Sequence, residues 1–313
     1  MSMLDRYGRQ INNMRISVTQ QCNLDCFYCH HEGEDGHFIG NGHMKPEEIG
    51  KIAEIASKVG IEKLKITGGE PLLRRDIIDI VGRTAKHMKE VSMTTNGVLL
   101  SEYADELRKA GLNRVNISFD APEPNTFQRI TKSDVFDDVR DGVCAAQNAG
   151  LTPVKLNMVV LKGINDHHIP QAIEFASKVG AILQLIEFES SCEGANSSFF
   201  KRYHFDLCEM EEELNNRACE VRQRNMQRRK KYILPSENNG TAEVEIVRGM
   251  HNSKFCENCT RLRVTSTGEL KPCLLINDNH INIIDSIRNG AEDEELMNMF
   301  KKAILLKEPY WRA

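Results

Sequence analysis

Four stretches of the chain share one pattern: a helical run, a glycine, then a short run in which apolar and polar residues alternate. They read EIASKVG-IEKLKIT, LRKAG-LNRVNIS, AAQNAG-LTPVKLN and FASKVG-AILQLIEF. Gly60, Gly111, Gly150 and Gly180 stand where a helix would end in a left-handed residue. Residues 14–19 (MRISVT) and 91–95 (VSMTT) add two more strands, so six strands alternate with helices. That alternation predicts an α/β fold with a parallel sheet. Six units suit an incomplete (β/α)6 barrel of the TIM type, with a doubly wound sheet as the alternative.

The strands also alternate in polarity. One face carries Arg15, Ser17 and Thr19, then Lys65 and Thr67, Ser92 and Thr94, Asn116 and Ser118, Lys155 and Asn157, and Gln184. The other carries Ile16, Val18, Leu64, Ile66, Val115, Ile117, Val154, Leu156, Leu183 and Leu185. Parallel strands covered on both sides normally read as unbroken apolar runs, and an ordinary barrel interior is filled by branched aliphatics. Burying so many polar groups without partners would cost a few kcal/mol each. A wide, wet lumen that holds a polar ligand accounts for the pattern. An antiparallel sheet with one solvated face is the bland alternative, and the intervening helices oppose it.

Beyond about residue 195 the pattern stops, giving an expected division into 1–195, the partial barrel, and 196–313, a C-terminal extension that closes it. A helical, mixed-charge segment is expected over residues 204–231, followed by short strands at 232–234 and 243–247 and an acidic helix near 291–302. The basic run RQRNMQRRKK reads as a solvated helix face rather than a nucleic-acid patch.

Composition narrows the classes. The 313 residues are 40% hydrophobic and 27% charged, ordinary globular values. Forty-one Lys and Arg against 45 Asp and Glu give a net charge of −4, which argues against a surface that coats nucleic acid. No run approaches 18 apolar residues and the start lacks an apolar signal core, so a cytoplasmic chain without a membrane partner is expected. Ten cysteines are then metal ligands, catalytic groups or small core residues rather than a disulfide framework.

Cys22, Cys26 and Cys29 form C-x3-C-x2-C directly after the first strand. Thiolates suit iron–sulfur clusters or zinc, and three of them leave the fourth iron of a [4Fe–4S] cluster open. Positions i, i+4 and i+7 are also one helix face, which would make these buried small hydrophobes. The place decides between these, because loops at the C-terminal ends of barrel strands carry chemistry. Cys256, Cys259 and Cys273, in FCENCTRLRVTSTGELKPC, form a second set. Structural zinc, with His251 or His280 as fourth ligand, and a second cluster with an open site fit this spacing equally.

RISVTQQCNLDCFYCH resembles the signature of radical S-adenosylmethionine (SAM) enzymes, including the aromatic Tyr28 before the third cysteine. ITGGEPLLRRD resembles that family's glycine-rich strand end, where Gly68 and Gly69 would let backbone approach the amino group of SAM. The C-x2-C-x-R-x-R…C arrangement, with Arg261 and Arg263, is similar to the GTP 3′,8-cyclase (MoaA) family of molybdenum cofactor biosynthesis. The likeness runs from Arg15 to Cys273, and LQLIEFE and KEPYW look like its archaeal branch. It implies two [4Fe–4S] clusters, on Cys22, Cys26 and Cys29 and on Cys256, Cys259 and Cys273. Tyr28, Gly68, Gly69, Ser118 and Asn157 would contact SAM. Arg15, Lys65, Thr94, Lys155, Arg261 and Arg263 would contact GTP, Arg261 and Arg263 joining the first three cysteines as the catalytic set. Several of these already stand on the polar lumen face, where a triphosphate needs cations, and the chain has no G-x4-G-K-[ST] loop to cradle one.

The implied chemistry is hydrogen abstraction from C3′ of GTP by a 5′-deoxyadenosyl radical, then attack on C8. The implied partners are GTP, an electron donor and the next enzyme of the pterin pathway, with a homodimer left open. Some residues depart from the family. Lys65 stands where members usually carry arginine, Gln184 where bacterial relatives have a phosphate-contacting arginine, and Glu189 where a methionine is expected. The tail ends Tyr310-Trp311-Arg312-Ala313 rather than in a glycine pair. The alternatives are a radical SAM enzyme acting on another nucleotide or a peptide, and a non-catalytic zinc-binding module.

Overall fold

The glycine-punctuated units fold as their pattern dictates. In this computed structural model, which describes residues 3–34, 43–191, 193–236 and 240–311, Gly60, Gly111, Gly150 and Gly180 all have positive φ, from 63° to 109°. Each releases the chain from a helix into a strand. The strands β1 (Asn13–Ser17), β2 (Lys63–Thr67), β3 (Glu90–Thr95), β4 (Arg114–Ser118), β5 (Lys155–Val160) and β6 (Ile182–Glu187) pair in that order. Every pairing among them is parallel. Local signals agree with the frame: the helix Pro46–Lys58 opens with proline and two glutamates and ends in lysine, matching the helix dipole. All ten apolar positions expected on the outer strand face, from Ile16 to Leu185, are at most 1% exposed. They form one core with the apolar sides of the flanking helices.

The second half does not stand apart from this sheet. Its strands β7 (Glu220–Gln223), β8 (Lys230–Pro235) and β9 (Thr241–Val247) join one edge, with β9 parallel to β6. At the other edge β10 (Arg261–Val264) lies parallel to β1 and is followed by β11 (Glu269–Lys271) and β12 (Ile281–Asn282). The six-strand expectation therefore grows to eight adjacent parallel strands, from β10 through β1–β6 to β9, with antiparallel strands beyond them. The edge strands β7 and β12 do not pair with each other among the described residues. Instead the turn between β7 and β8 spans the gap, where Gln227 N–H donates to the Asn258 carbonyl at 2.9 Å.

The helix expected over 204–231 is a correction. Only Cys208–Arg217 is α-helical there, and the basic run forms the β7–β8 hairpin, with a single 3-10 turn at Met226–Arg228. Arg, Gln and Lys favour helix intrinsically, but pairing of β8 with β9 overrides that preference. Gln227 and Arg228 take left-handed φ at the turn. The acidic helix forms at Asp293–Leu305. No helix among the described residues is long and apolar enough to cross a membrane.

Candidate active site

The polar strand face encloses a cavity of about 710 Å³. Arg15, Lys65, Thr94, Ser118, Lys155 and Asn157 line it from β1 to β5, and Arg261 and Arg263 from β10. Tyr28, Cys256, Cys259 and Cys273 reach the same space. Pro309, Tyr310 and Trp311 complete its wall, whereas Arg312 and Ala313 lie outside the described residues.

Cys22, Cys26 and Cys29 lie in an irregular loop after β1, not on a helix. Leu24 N–H points at Cys22 Sγ and His31 N–H at Cys29 Sγ, each at 3.4 Å. Such N–H donors favour thiolate ligands and tune a cluster's potential. Burial pushes all three thiols up, so they need a cationic centre to ionise. The loop is seated on the glycine pair: a Cβ on Gly68 would meet Thr19 O at 2.5 Å and one on Gly69 would meet Gln21 O at 2.2 Å. The close approach that demands glycine here is therefore to the loop's own backbone, which corrects the expectation that a ligand alone required it. Tyr28 is fixed by its hydroxyl, which donates to buried Asp120 at 2.6 Å.

In the second set, Cys256 sits on the short helix Ser253–Glu257, capped by Asn252, with Cys259 before β10 and Cys273 after β11. Trp311 N–H donates to Cys256 Sγ at 3.4 Å. Burial raises the Cys259 thiol, but Lys307, Arg261 and Arg263 outweigh it and bring it down to about 7. Three thiols beside cations, with N–H donors, fit an anionic iron–sulfur cluster. The suggested histidines do not complete a zinc site: His280 faces Glu269 and the Ile276 carbonyl, and His251 packs on Trp311. Among the described residues no three His, Cys, Asp or Glu side chains converge on a single ion. Of the other cysteines, Cys144 and Cys219 are exposed, Cys208 is half-buried, and Cys192 lies outside the described residues.

Strand register assembles the cations. Arg15 pairs with Lys65 on one side and Arg263 on the other. Glu32 lies between the two arginines, 3.1 Å from Arg15 and 2.8 Å from Arg263, and accepts from Thr67 Oγ1. Although burial pushes its carboxyl up, the two guanidiniums hold it well below the usual range. Lys65 Nζ donates to Asn116 Oδ1 at 2.8 Å; burial, then Arg114 and Arg15, pull it well below the ordinary lysine range. Arg261 faces the cavity with no carboxylate in ion-pair reach among the described residues, and burial plus Arg15 and Arg263 lower it strongly. Lys155 meets Glu245 at 2.5 Å, and Gln184 donates to the same oxygen at 2.7 Å. Burial draws Lys155 down to about 7 against the pull of Glu245. Thr94 Oγ1 and Arg15 Nε are buried without partners among the described residues. This is a cation-rich chamber lined by the second thiol set; of the first cysteine loop, Tyr28 and His30 reach it, and Cys22, Cys26 and Cys29 do not line it.

Comparison with known proteins places this chamber. The radical SAM superfamily profile matches residues 16–176, and that of Molybdenum Cofactor Synthesis C matches residues 181–313. A probable GTP 3′,8-cyclase of Thermococcus kodakarensis is 50% identical over 99% of this chain and all of its own length. That of Pyrococcus abyssi is 51% identical over 99% of both chains. The chain belongs to the GTP 3′,8-cyclase family of radical SAM enzymes. Membership of this cyclase family brings a [4Fe–4S] cluster and SAM. Among solved structures, Streptococcus suis SuiB bound to its precursor peptide aligns with a TM-score of 0.70 at 14% identity, covering 98% of this chain and 67% of SuiB. The SAM-bound anSMEcpe aligns at 0.59 and 16%, covering 96% and 84%. At such identities these share the fold alone.

Within the cyclase framework several site residues escape sequence reasoning. Glu32 follows Cys29 by three positions in a run of His and Glu that gives no periodic signal. Asp120 lies two residues beyond Ser118, so extending the alternation past the strand would have found it. Glu245 alternates with buried Val244 and Ile246 on β9, a strand whose place beside β6 is a long-range pairing. Arg224 and Arg229 are hidden by the helix expected over their segment.

Proposed function

We propose that the protein converts GTP to 3′,8-cyclo-7,8-dihydroguanosine 5′-triphosphate, the first step of molybdenum cofactor biosynthesis. The carrying observation is the chamber in which Arg15, Lys65, Lys155, Arg261 and Arg263 face one volume beside Cys256, Cys259 and Cys273. Cys22, Cys26 and Cys29 would hold the SAM cluster, and Cys256, Cys259 and Cys273 a second [4Fe–4S] cluster next to the purine. When bound, the first cluster and SAM supply a hydrogen-abstracting 5′-deoxyadenosyl radical aimed at C3′ of the ribose.

The chain's residues hold and shield. Tyr28, Gly68, Gly69, Ser118 and Asn157 would position SAM, with Asp120 fixing the Tyr28 ring. Arg261 and Arg263 would align the nucleotide, Arg263 through the bidentate geometry a guanidinium offers. Arg15, Lys65 and Lys155 would neutralise phosphate, and Thr94 Oγ1 offers an unspent hydrogen bond. Tyr310 and Trp311 would exclude water from the side of the second cluster, protecting a carbon-centred radical and holding C3′ near C8. Residues 1–195 would serve SAM, and 196–313 the substrate and second cluster. The reading brings an electron donor and the next pterin enzyme as partners, a cytoplasmic location and room for a homodimer.

The test is an anaerobic reaction of reconstituted protein with SAM, dithionite and GTP. The expected products are 5′-deoxyadenosine and the cyclised nucleotide. Lys65, Gln184 and the acidic Glu189 against Gly249 favour one second reading, the same chemistry on a different nucleotide. SAM cleavage with GTP unchanged would select it.

A further inference from the structure

The hairpin between β7 and β8 places an arginine at the chamber that the reaction, as described so far, does not use. Gln184 on β6 carries no charge, and its amide is committed to Glu245 Oε2 at 2.7 Å. The same oxygen takes Lys155 at 2.5 Å, and Arg224 lies 2.7 Å from Oε1. Glu245 is fully buried and tied to this cluster, so Lys155 and Arg224 share one carboxylate and retain a single net positive charge. Arg229, from the same turn as Arg224, also lines the chamber. Its Nε is buried without a partner, and no carboxylate pairs with it among the described residues. Burial lowers its guanidinium; Glu245 opposes this, and Arg224, Arg114 and Arg15 add to it. A desolvated cation among cations is costly unless an anion completes the set.

We propose that Arg229 is a substrate-binding residue that grips the polyphosphate of the nucleotide, supplying from the hairpin the positive charge that Gln184 lacks. This rests on the GTP reading of the site. The hairpin turn is anchored at its tip, where Gln227 N–H is fixed to the Asn258 carbonyl and the Gln227 side chain reaches towards Cys259 Sγ. Arg229 would thus approach the phosphates from the hairpin while Arg15 and Lys65 reach them from β1 and β2, so that they are held between elements remote in sequence.

The test is equilibrium binding of inorganic tripolyphosphate, GTP and guanosine to the reconstituted protein and to Arg229→Ala, Arg228→Ala and Gln184→Arg/Arg229→Ala. Arg229→Ala should weaken tripolyphosphate and GTP about 10- to 100-fold, the loss of one charge-assisted contact, and leave guanosine unchanged. Arg228→Ala, altered at an exposed neighbour on the same turn, should bind like the parent. The double variant should recover most of the loss, a rescue that a merely structural role would not produce. Undiminished tripolyphosphate binding by Arg229→Ala overturns the proposal, as does an equal loss of guanosine. If the parent binds tripolyphosphate but not GTP, the GTP reading fails, while the tripolyphosphate series still decides the role of Arg229.

Discussion

Glu32→Gln isolates the charge that lies between Arg15 and Arg263. The amide keeps the shape and an oxygen for Thr67, but leaves Arg15 and Arg263 facing each other with no anion between them. Their side chains are 21% and 11% exposed, so water screens them little. Removing one partner from a buried ion pair typically costs about 3–5 kcal/mol, and here one carboxylate serves two guanidiniums. For a 313-residue chain, about 2 °C per kcal/mol puts the expected fall in Tm at about 6–10 °C without nucleotide. Adding GTP should return much of it, because phosphate restores the missing negative charge, so the ligand-induced rise in Tm should be larger in the variant than in the parent. Anaerobic differential scanning fluorimetry with and without saturating GTP reads both quantities. A nucleotide-free melt within about 2 °C of the parent, well below the roughly 6 °C expected, would refute the view that Glu32 neutralises these arginines.

Gly69→Ala should prevent the first cysteine loop from seating, since its Cβ would lie 2.2 Å from Gln21 O; iron content after reconstitution should fall while the second set still loads. Replacing Cys256, Cys259 and Cys273 together with alanine should lower iron from about eight to about four per chain, with SAM cleavage retained and cyclisation lost. Asp120 is raised to about 6 by burial, held back by its bonds from Tyr28 and the Val159 N–H. A raised carboxyl gives stability that is complete below its unfolded value near 3.9 and is lost as pH rises through about 6. Asp120→Asn should therefore remove a fall in stability between about pH 4 and 6, measured as the difference in denaturant midpoints between variant and parent.

What the sequence made legible was local. A glycine after four of the helices and a period of two in each strand were enough to place β1–β6 and to identify the lumen face, because both signals act within a dozen residues. Spacing marked both cysteine sets as candidate metal ligands and left zinc and a cluster equal for the second. The opposite held wherever a partner far along the chain decided the outcome. The Arg- and Lys-rich run reads as a helix until β9 is there to pair with it, and Glu245 is an unremarkable strand residue until β6 lies beside it. In the sequence Lys155 reads as a free phosphate ligand, yet it shares Glu245 with Gln184 and Arg224. The glycine pair is legible by its position, but the neighbour that demands it, the backbone of the cysteine loop, is visible only in the fold.

The docking of β10 on β1 carries a consequence for how the enzyme comes into being. Asn13 and Thr260, joined by a side-chain hydrogen bond at this seam, are 247 positions apart. Contacts so distant form late, after closure of a very long loop. During synthesis the SAM-side thiols and β1–β6 therefore emerge well before Arg261 and Arg263 arrive to complete the chamber. The chamber is thus the last feature the polypeptide completes, once translation has run past the second cysteine set.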